Sequence, residues 1–498
     1  MQNKTTIHIL FLIFFISVSL RYFLCTSGGQ FFYVDEARFM NGHYLLAHIS
    51  DGDWTSAIKR ITTTYAHTFF IFISAILEGF RYLFVLAFID SSAPAFLLAD
   101  SRIAIEVAAY LLSFASSTNI ILLYLVVKSS GGTNLQGVIA SVMLAASTTN
   151  FYFSRHLLPY DISISFALIA LIFALKKRNY NLNNVLCGLF CGLTTLTYNG
   201  YWTLSALVWL ILLYKSKGHL VEKIKCGVIS LSTGILPIIL LYFISLNYEG
   251  NFLEGMQEWL AATKKNQYGD FGIGWKVLIY YLWDSERVVS ILYFLSIFTA
   301  ITFFIKKNRL ELNSKDIGFF SILFLIIILI CLCDILNNSV LYGRTIKQTI
   351  PFFCLAISYP IACLTENFKS RILIFSSILI FGIQVIYNFK TCLEIEFPNN
   401  FILKSSSHKE EFSQFAEISG PNISKLESSS SNHDHAIINA QSLIPPFTGY
   451  KNIPIKKIYF ESDHPYNFKP YQYIHYRIKE RTTLQEIDLK MKFVELDI

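Results

Sequence analysis

Two adjacent carboxylates and an arginine, Asp35, Glu36 and Arg38, stand just after the first hydrophobic segment of the chain. A carboxylate acts as a general base when it lies within about 3 Å of the hydroxyl or amine that it deprotonates. The second acid and the arginine, one turn later, would set its charge and orientation. Asp and Glu also favour the first turn of a helix, where they need no catalytic role. The spacing alone leaves both interpretations open.

A third acid, Asp161, stands alone in a long apolar part of the chain. It is the only acidic residue between Glu106 and Glu222, and it opens an apolar run. An acid in the first turn of a helix needs no further function. Asp161 would belong to the same site as Asp35 only if the fold brings it close to the first loop. Arg155 precedes it and is either part of the same site or an interfacial anchor.

The composition is that of a polytopic membrane protein. Of 498 residues, 53% are hydrophobic and only 15% are charged, and ordinary soluble domains cannot bury so much apolar surface. The net charge of +7 resides in short basic tracts between apolar runs, which indicates membrane orientation and not a nucleic-acid partner. The nine cysteines show no zinc or disulfide spacing, and His433 and His435 lack further ligands, so we predict no metal site.

Eleven apolar runs predict an all-α membrane domain with about 11 transmembrane helices and additional juxtamembrane helices. The first run, 7–25, is interpreted as a retained helix, because it approaches the length of a full span and has no clear cleavage site. The ten others lie at about 102–127, 136–153, 162–175, 185–198, 201–214, 227–246, 288–305, 317–336, 349–364 and 372–389. Runs 185–198 and 201–214 are short and are predicted to form a shallow helical hairpin.

The orientation depends on the stretch 67–89, which is long enough to span but contains Glu78 and Arg81. Each charge costs about 2.5–3.5 kcal/mol at the bilayer centre. If this stretch does not cross and the amino terminus is cytoplasmic, the main basic tracts all fall on the cytoplasmic side, as the positive-inside rule requires. We therefore expect residues 26–100 to lie outside the cytoplasm, with 67–89 along the interface.

Arg344 and Lys347 are basic residues that this topology places on the outer side, against the prevailing charge bias. An anionic lipid phosphate is one partner that explains such cations. Pairing with nearby acids is the alternative. The same topology places Asp35, Glu36 and Asp161 on the outer side as well.

The chain divides into a membrane module at 1–390 and a more polar part at 391–498. The second part contains a serine-rich tract at 428–431, which reads as a linker or surface loop. Four short apolar segments, at 436–439, 455–460, 471–478 and 489–494, are separated by prolines and predict strands. We expect a small extracytoplasmic α/β or β domain.

The order of these features resembles the GT-C glycosyltransferases. The motifs are Asp-Glu-Ala-Arg at 35–38, a basic-capped helix from 102, Arg-x5-Asp at 155–161, Gly-x-x-x-Leu-Thr at 192–197 and a basic segment that ends at Pro351. The similarity covers about residues 7–390 and is closest to bacterial relatives of protein O-mannosyltransferases and of the aminoarabinose transferase that modifies lipid A. The motif around Asp35 is its specific part.

The resemblance implies transfer of a sugar from a polyprenyl-phosphate donor to a glycolipid, protein or surface polymer on the extracytoplasmic side. By this resemblance Asp35 is the catalytic base, and Glu36 and Asp161 support it. The residues that would bind substrate or the donor phosphate are Arg38, His67, Arg155, Tyr198, Arg344 and Lys347. Among these, His67 and Tyr198 stand where relatives often have lysine.

The expected location is the inner (plasma) membrane, with a cytoplasmic amino terminus and an extracytoplasmic carboxyl-terminal domain. A divalent cation is left open as a cofactor. One alternative is a transporter or flippase of a lipid-linked saccharide, for which ionisable groups near the bilayer midplane would be typical. Another is a related fold without catalysis that serves as a scaffold.

Overall fold

A computed structural model describes seventeen ranges of the chain, and the features below concern these residues. They are 3–26, 38–65, 67–89, 91, 105–154, 156–176, 180–216, 220–247, 251–265, 274–286, 288–306, 313–339, 341, 343–368, 381–387, 457–459 and 493–495. Asp35, Glu36 and Arg155 therefore lie outside the described residues, as does most of the predicted carboxyl-terminal domain.

The described part is mostly helical, as predicted. Its helices are α1 Asn3–Thr26, α2 Met40–Ser50, α3 Trp54–Thr63, α4 Thr68–Phe88, α5 Ile105–Ser129, α6 Asn134–Ala146, α7 Thr148–Phe153, α8 Tyr160–Leu175, α9 Tyr180–Thr197, α10 Trp202–Lys215, α11 Leu220–Leu246, α12 Phe252–Lys265, α13 Gly274–Glu286, α14 Val288–Lys306, α15 Ser314–Ile330, α16 Gly343–Ile346 and α17 Ile350–Phe368. Single turns at Asn199–Tyr201 and Lys347–Thr349 are 3-10 helices, Cys331–Ile335 is a π-helical turn, and 381–387 is also helical.

Six of the described helical segments are long and apolar enough to cross a membrane. They are Lys4–Cys25, Thr68–Phe88, Val107–Ser129, Leu220–Leu246, Ser314–Ile335 and Gly343–Thr365. Three shorter apolar helices accompany them: Asn134–Ala146, Tyr160–Leu175 and Val289–Ile305. The membrane assignment is thus supported, whereas the predicted total of eleven spans is not reached among the described residues.

Long helices alternate in direction and bring the candidate residues to one end of the bundle. α1 and α5 run antiparallel, since Ser17 contacts Ser117 and Tyr22 packs on Tyr110. At the other end of the bundle, Gln136 at the start of α6 donates to the Ser314 hydroxyl. We call the end that holds Arg38, His67, Asp161, Tyr198 and Lys347 the site end, and the end that holds Lys128, Lys176, Lys215 and Ser314 the opposite end.

The stretch predicted to lie along the interface is one continuous helix, α4. Its two charged residues are buried and pair with each other, because Arg81 Nε and Nη2 each lie 2.9 Å from Glu78 Oε2. The imidazole of His43 lies 3.4 Å from the same carboxylate oxygen. Neither charge faces lipid, so the insertion cost that argued against a span is reduced by pairing. The prediction that α4 does not cross remains a prediction.

α9 and α10 form the predicted hairpin, joined through the turn at Asn199–Tyr201. α9 also packs closely on α11 through glycines. A Cβ added at Gly188 would lie 1.9 Å from the Ser230 carbonyl oxygen, and one added at Gly192 would lie 2.3 Å from the Gly234 carbonyl oxygen. These glycines let the two helix backbones approach each other, as small residues do in membrane helix pairs.

The run predicted at 136–153 is divided into α6 and α7, because Ser147 interrupts it. Ser147 has extended backbone angles, and its hydroxyl accepts from the amide of Asn150. In the carboxyl-terminal part, β1 Lys457–Tyr459 pairs antiparallel with β2 Phe493–Glu495. β1 lies inside the predicted strand 455–460 and β2 overlaps the end of 489–494, whereas the domain itself remains a prediction.

Candidate active site

A buried ion pair joins two of the candidate residues. Lys347 Nζ lies 2.8 Å from Asp161 Oδ1, and the two side chains are only 1% and 7% exposed. Asp161 occupies the first turn of α8, and Lys347 lies in the 3-10 turn before α17. Residues 186 positions apart in sequence are thereby brought into direct contact.

The position of Asp161 is fixed from α5. Asn119 is buried, and its side-chain amide donates to the Asp161 carbonyl at 2.9 Å. The Ser165 hydroxyl lies 2.7 Å from Asn119 Oδ1 and 2.9 Å from the same carbonyl, so its single hydrogen serves one acceptor at a time. The first turn of α8 is therefore tied both to α5 and to its own second turn.

The Lys347 ammonium lies over an aromatic ring. Its Nζ is 5.2 Å from the centroid of Phe153, the last residue of α7. A cation over a ring face is attracted by the ring quadrupole, more strongly where water is excluded. The Lys347 ammonium thus contacts both the Asp161 carboxylate and the face of the Phe153 ring.

The segment that carries Lys347 is held by the α9–α10 hairpin. Tyr201 donates its hydroxyl to the Arg344 carbonyl at 2.6 Å. Thr203 donates to Gln348 Oε1 at 2.5 Å, and the amide of Gln348 donates back to its own segment. These bonds fix the main chain on both sides of Lys347, whereas the Arg344 side chain is half-buried.

Arg38 and His67 contact each other through their charged and aromatic groups. Arg38 Nη1 donates to His67 Nε2, which must therefore be the unprotonated nitrogen. Nδ1 then carries the hydrogen and donates to the Thr197 carbonyl at 3.3 Å. Burial, followed by the neighbouring Arg38 charge, lowers the pKa of His67 well below its usual value. His67 is thus a neutral acceptor that orients Arg38.

Aromatic contacts connect this pair to the ion pair. The rings of His67 and Tyr198 stack at 5.3 Å with an angle of 5° between their planes. Tyr198 in turn packs at 4.8 Å on both Tyr160 and Tyr201. Tyr160 precedes Asp161, and Tyr201 bonds to the Arg344 carbonyl. The contacts therefore run without interruption from Arg38 to Lys347.

Arg21 is a buried cation that the sequence interpretation missed. It lies in α1 at 1% exposure, and its guanidinium donates to Ser17 and, at 3.0 Å, to the Ser116 hydroxyl. The guanidinium carbon is 5.4 Å from the Phe151 ring centroid. The available signal was an arginine inside an otherwise apolar membrane helix, which usually marks a functional position.

Six of the nine predicted site residues are described, and all six belong to this connected set. They are Arg38, His67, Asp161, Tyr198, Arg344 and Lys347. The other three lie outside the described residues. Sequence reasoning missed the side chains that position the set, namely Asn119, Tyr160 and Tyr201.

The arrangement combines fixed positive charge with carboxylate and aromatic groups at one end of a membrane bundle. Such a site can bind an anionic group and stabilise charge that develops on it. Within the described ranges, no group of three or more His, Cys, Asp or Glu residues could hold a metal ion.

Comparison with known proteins gives structural matches only. The sequence matches no protein-family model and no curated protein. The Archaeoglobus fulgidus oligosaccharyltransferase with a tethered acceptor peptide matches at 11% identity and a TM-score of 0.47, over 88% of this chain and 59% of that chain. ArnT from Cupriavidus metallidurans matches at 13% and 0.47 with undecaprenyl phosphate bound, over 90% of this chain and 76% of that chain.

Apo ArnT from the same organism matches at 12% identity and a TM-score of 0.48, over 88% of this chain and 76% of that chain. This chain thus spans about 59% of the oligosaccharyltransferase. TM-scores below 0.5 at these identities give no ground for transferring an activity to this protein.

Proposed function

We propose that this protein is an integral-membrane glycosyltransferase of the GT-C type. It moves a sugar from a polyprenyl-phosphate donor to an acceptor on the extracytoplasmic side of the plasma membrane. The observation that carries the proposal is the connected set from Arg38 to Lys347, in which separate parts of the chain bring cations and a carboxylate to one end of a membrane bundle.

Chain connectivity keeps the Asp35 motif close to this set. Asp35 is three residues before Arg38, and an extended chain covers at most about 3.6 Å per residue, so their Cα atoms are within about 11 Å. Thr26 at the end of α1 and Arg38 flank the motif on its two sides. The proposal therefore places the acceptor beside Arg38, with Asp35 as its base.

In the proposed reaction, Asp35 takes the proton of the acceptor hydroxyl or amine while the acceptor atom bonds to the anomeric carbon. The bond between that carbon and the phosphate oxygen breaks, and its electron pair stays on the lipid phosphate. A single displacement of this kind inverts the anomeric centre. Because negative charge accumulates on the departing phosphate, fixed cations stabilise the transition state.

Lys347 and Arg344 are proposed to receive that phosphate. Lys347 is paired with Asp161 at 2.8 Å, so the phosphate competes with the Asp161 carboxylate for the ammonium. A lipid phosphate suits a cation at the end of a membrane helix, since its oxygens accept charge-assisted hydrogen bonds. Arg38, oriented by His67, adds a permanent positive charge on the side nearer Asp35.

The test compares turnover with binding in purified protein. Asp35→Asn should abolish transfer from an undecaprenyl-phosphate sugar while binding of undecaprenyl phosphate persists, because the base is lost and the cations remain. Lys347→Met should weaken that binding. Since it also leaves the buried Asp161 carboxylate unpaired, at a cost of about 3–5 kcal/mol, the double variant Lys347→Met/Asp161→Asn serves where the single variant does not accumulate.

Asp51→Asn is the matched control, because Asp51 is exposed and lies outside the connected set. It should retain both turnover and binding. Full turnover by Asp35→Asn would remove the proposed base. Movement of a lipid-linked sugar across vesicles without transfer to any acceptor would favour the flippase alternative instead.

A further inference from the structure

A buried carboxylate outside the predicted site supports the short helix α7. Glu286, the last residue of α13, is fully buried. Its carboxylate accepts from the Ser147 hydroxyl at 2.9 Å and from the main-chain amides of Thr148 and Thr149 at 3.1 and 3.0 Å. Three donors at the beginning of α7 therefore converge on one side chain from another helix.

α7 carries the aromatic faces on which two buried cations rest. The Arg21 guanidinium lies over the Phe151 ring at 5.4 Å, and the Lys347 ammonium lies over the Phe153 ring at 5.2 Å. Arg21 comes from α1 and Lys347 from the turn before α17, so α7 supports cations from two different elements through its ring faces. A shift of α7 would move both rings together.

Two further bonds connect the same turn to its surroundings through hydroxyl groups. Tyr281 donates to the Thr149 hydroxyl at 2.9 Å, and the Gln384 amide donates to the Thr148 hydroxyl at 3.1 Å. Glu286 accepts from the main-chain amides of both threonines. The carboxylate therefore holds the α7 main chain itself, whereas these two bonds hold its side-chain hydroxyl groups.

We propose that Glu286 is a positioning residue for donor-phosphate binding, which it controls by fixing α7 beneath Arg21 and Lys347. The inference rests on the proposed function and adds Glu286, α7 and Arg21 to the site. Glu286 acts through α7 and does not touch the phosphate. The ligand class is a polyprenyl phosphate, recognised through its phosphate group by the cations that α7 supports.

A carboxylate is required at this position because every group that faces it in these bonds is a donor. Glutamine at position 286 would keep one acceptor oxygen and replace the other with an NH2 group, which would face an amide N–H. α7 would lose at least one main-chain bond and move relative to the two cations. Because both cations lie over rings of α7, such a movement would weaken phosphate binding at two contacts together.

The experiment measures binding of undecaprenyl phosphate and steady-state transfer for the full-length protein in detergent. Glu286→Gln is expected to raise the Kd for the lipid phosphate and the donor KM by about tenfold or more, since two cation positions change together. Glu286→Asp, which keeps the charge, should recover part of the loss. Phe153→Leu, which removes only the ring below Lys347, should raise Kd in the same direction.

Asp334→Asn is the matched control. Asp334 is another carboxylate that accepts main-chain amides, those of Gly274 and Trp275 at 2.7 and 3.4 Å, at the opposite end of the same helix α13. Its replacement makes the same chemical change without touching α7, so donor KM should stay as in the unaltered protein. Thermal unfolding of each variant shows how much folded protein is present.

Four outcomes would overturn the inference. An unchanged Kd and KM in Glu286→Gln would show that α7 needs no carboxylate. Equal effects of Glu286→Gln and Asp334→Asn, or a lower kcat at unchanged KM, would show a general loss of folded protein. Failure of the unaltered protein to bind undecaprenyl phosphate at all would instead reject the proposed function, and the inference with it.

Discussion

Lys347 lies at a buried position, and the Asp161 carboxylate is 2.8 Å from its Nζ. Removing two charges from water costs several kcal/mol for each ion. The attraction between the two ions offsets this desolvation only when their geometry is good. A buried pair is therefore weak evidence for stability. Its presence beside an aromatic support and a fixed main chain is better explained if the ammonium exchanges one anion for another during function.

The surroundings of His67 make the stability of the folded protein depend on pH. Burial and the adjacent Arg38 hold its pKa well below the usual value, so the native protein excludes a proton that the unfolded chain binds below about pH 6.5. This group makes stability fall as pH decreases from about 6.5, by up to about 1.4 kcal/mol per pH unit. Above about pH 6.5, His67 does not change the dependence of the free energy of unfolding on pH.

The measurement is thermal unfolding in detergent between pH 5 and 8. His67→Gln keeps an acceptor for Arg38 but does not titrate, so it should flatten this part of the pH dependence. His8→Gln removes an exposed histidine of α1 and serves as the control that leaves the slope in place. An unchanged slope in His67→Gln would contradict the assignment of a neutral, buried imidazole.

At the scale of single residues, the sequence predicted candidates but not their contacts. Asp161 and Lys347 each occupy an unusual position in the charge pattern, yet nothing local predicts contact between residues so far apart. Asn119 and Tyr201 carried no signal, because a polar residue within an apolar run is common. Their roles depend on which helices are neighbours, and that information is not contained in local spacing.

At the scale of elements, the close contact between α9 and α11 predicts how two glycine substitutions change stability. Gly192→Ala should destabilise the protein, because its Cβ would lie 2.3 Å from the Gly234 carbonyl oxygen and only backbone movement can relieve this contact. Gly79→Ala is the matched control in α4, where the nearest atom is Leu46 Cδ1 at 3.8 Å. That substitution should stabilise by up to about 1 kcal/mol through helix propensity.

Thermal unfolding of both glycine variants in the same detergent tests this contact. A lower midpoint for Gly192→Ala with an equal or higher midpoint for Gly79→Ala is expected. Equal tolerance of both would mean that the helices separate at little cost. Two short apolar runs joined by Asn199 and Gly200 predicted the α9–α10 hairpin. They did not predict this contact, because a glycine inside a helix can equally mark a weak position or a close approach.

The two charges in α4 show another limit of element prediction. A linear hydropathy argument counts Glu78 and Arg81 as two separate costs, whereas the folded chain pairs them and adds His43. The pairing comes from the spacing of three residues on one helix face, and α4 is long and apolar enough to be a candidate span. Composition alone could not decide between these possibilities.

At the scale of the whole molecule, the contacts of α4 favour the predicted topology. α2 and α4 run parallel, since Gly42 lies against Ser74 and Ala75 while His43 lies beside Glu78. α2 leads away from the site end to an exposed loop, and a loop with exposed charges is expected in water. α4 starts next to Arg38 and runs parallel to α2. We therefore expect the carboxyl-terminal end of α4 to lie on the same side of the membrane as the loop after α2.

Labelling of single cysteines in intact cells tests this topology, with the nine native cysteines replaced. Asp51→Cys lies in the exposed loop after α2 and should react with an impermeant thiol reagent. Lys128→Cys is exposed at the opposite end and should react only after permeabilisation, since long helices alternate between the two ends. Ile89→Cys follows α4 and should label like Asp51→Cys. Labelling of Ile89→Cys only after permeabilisation would make α4 a true span and contradict the prediction that residues 67–89 lie on the extracytoplasmic side.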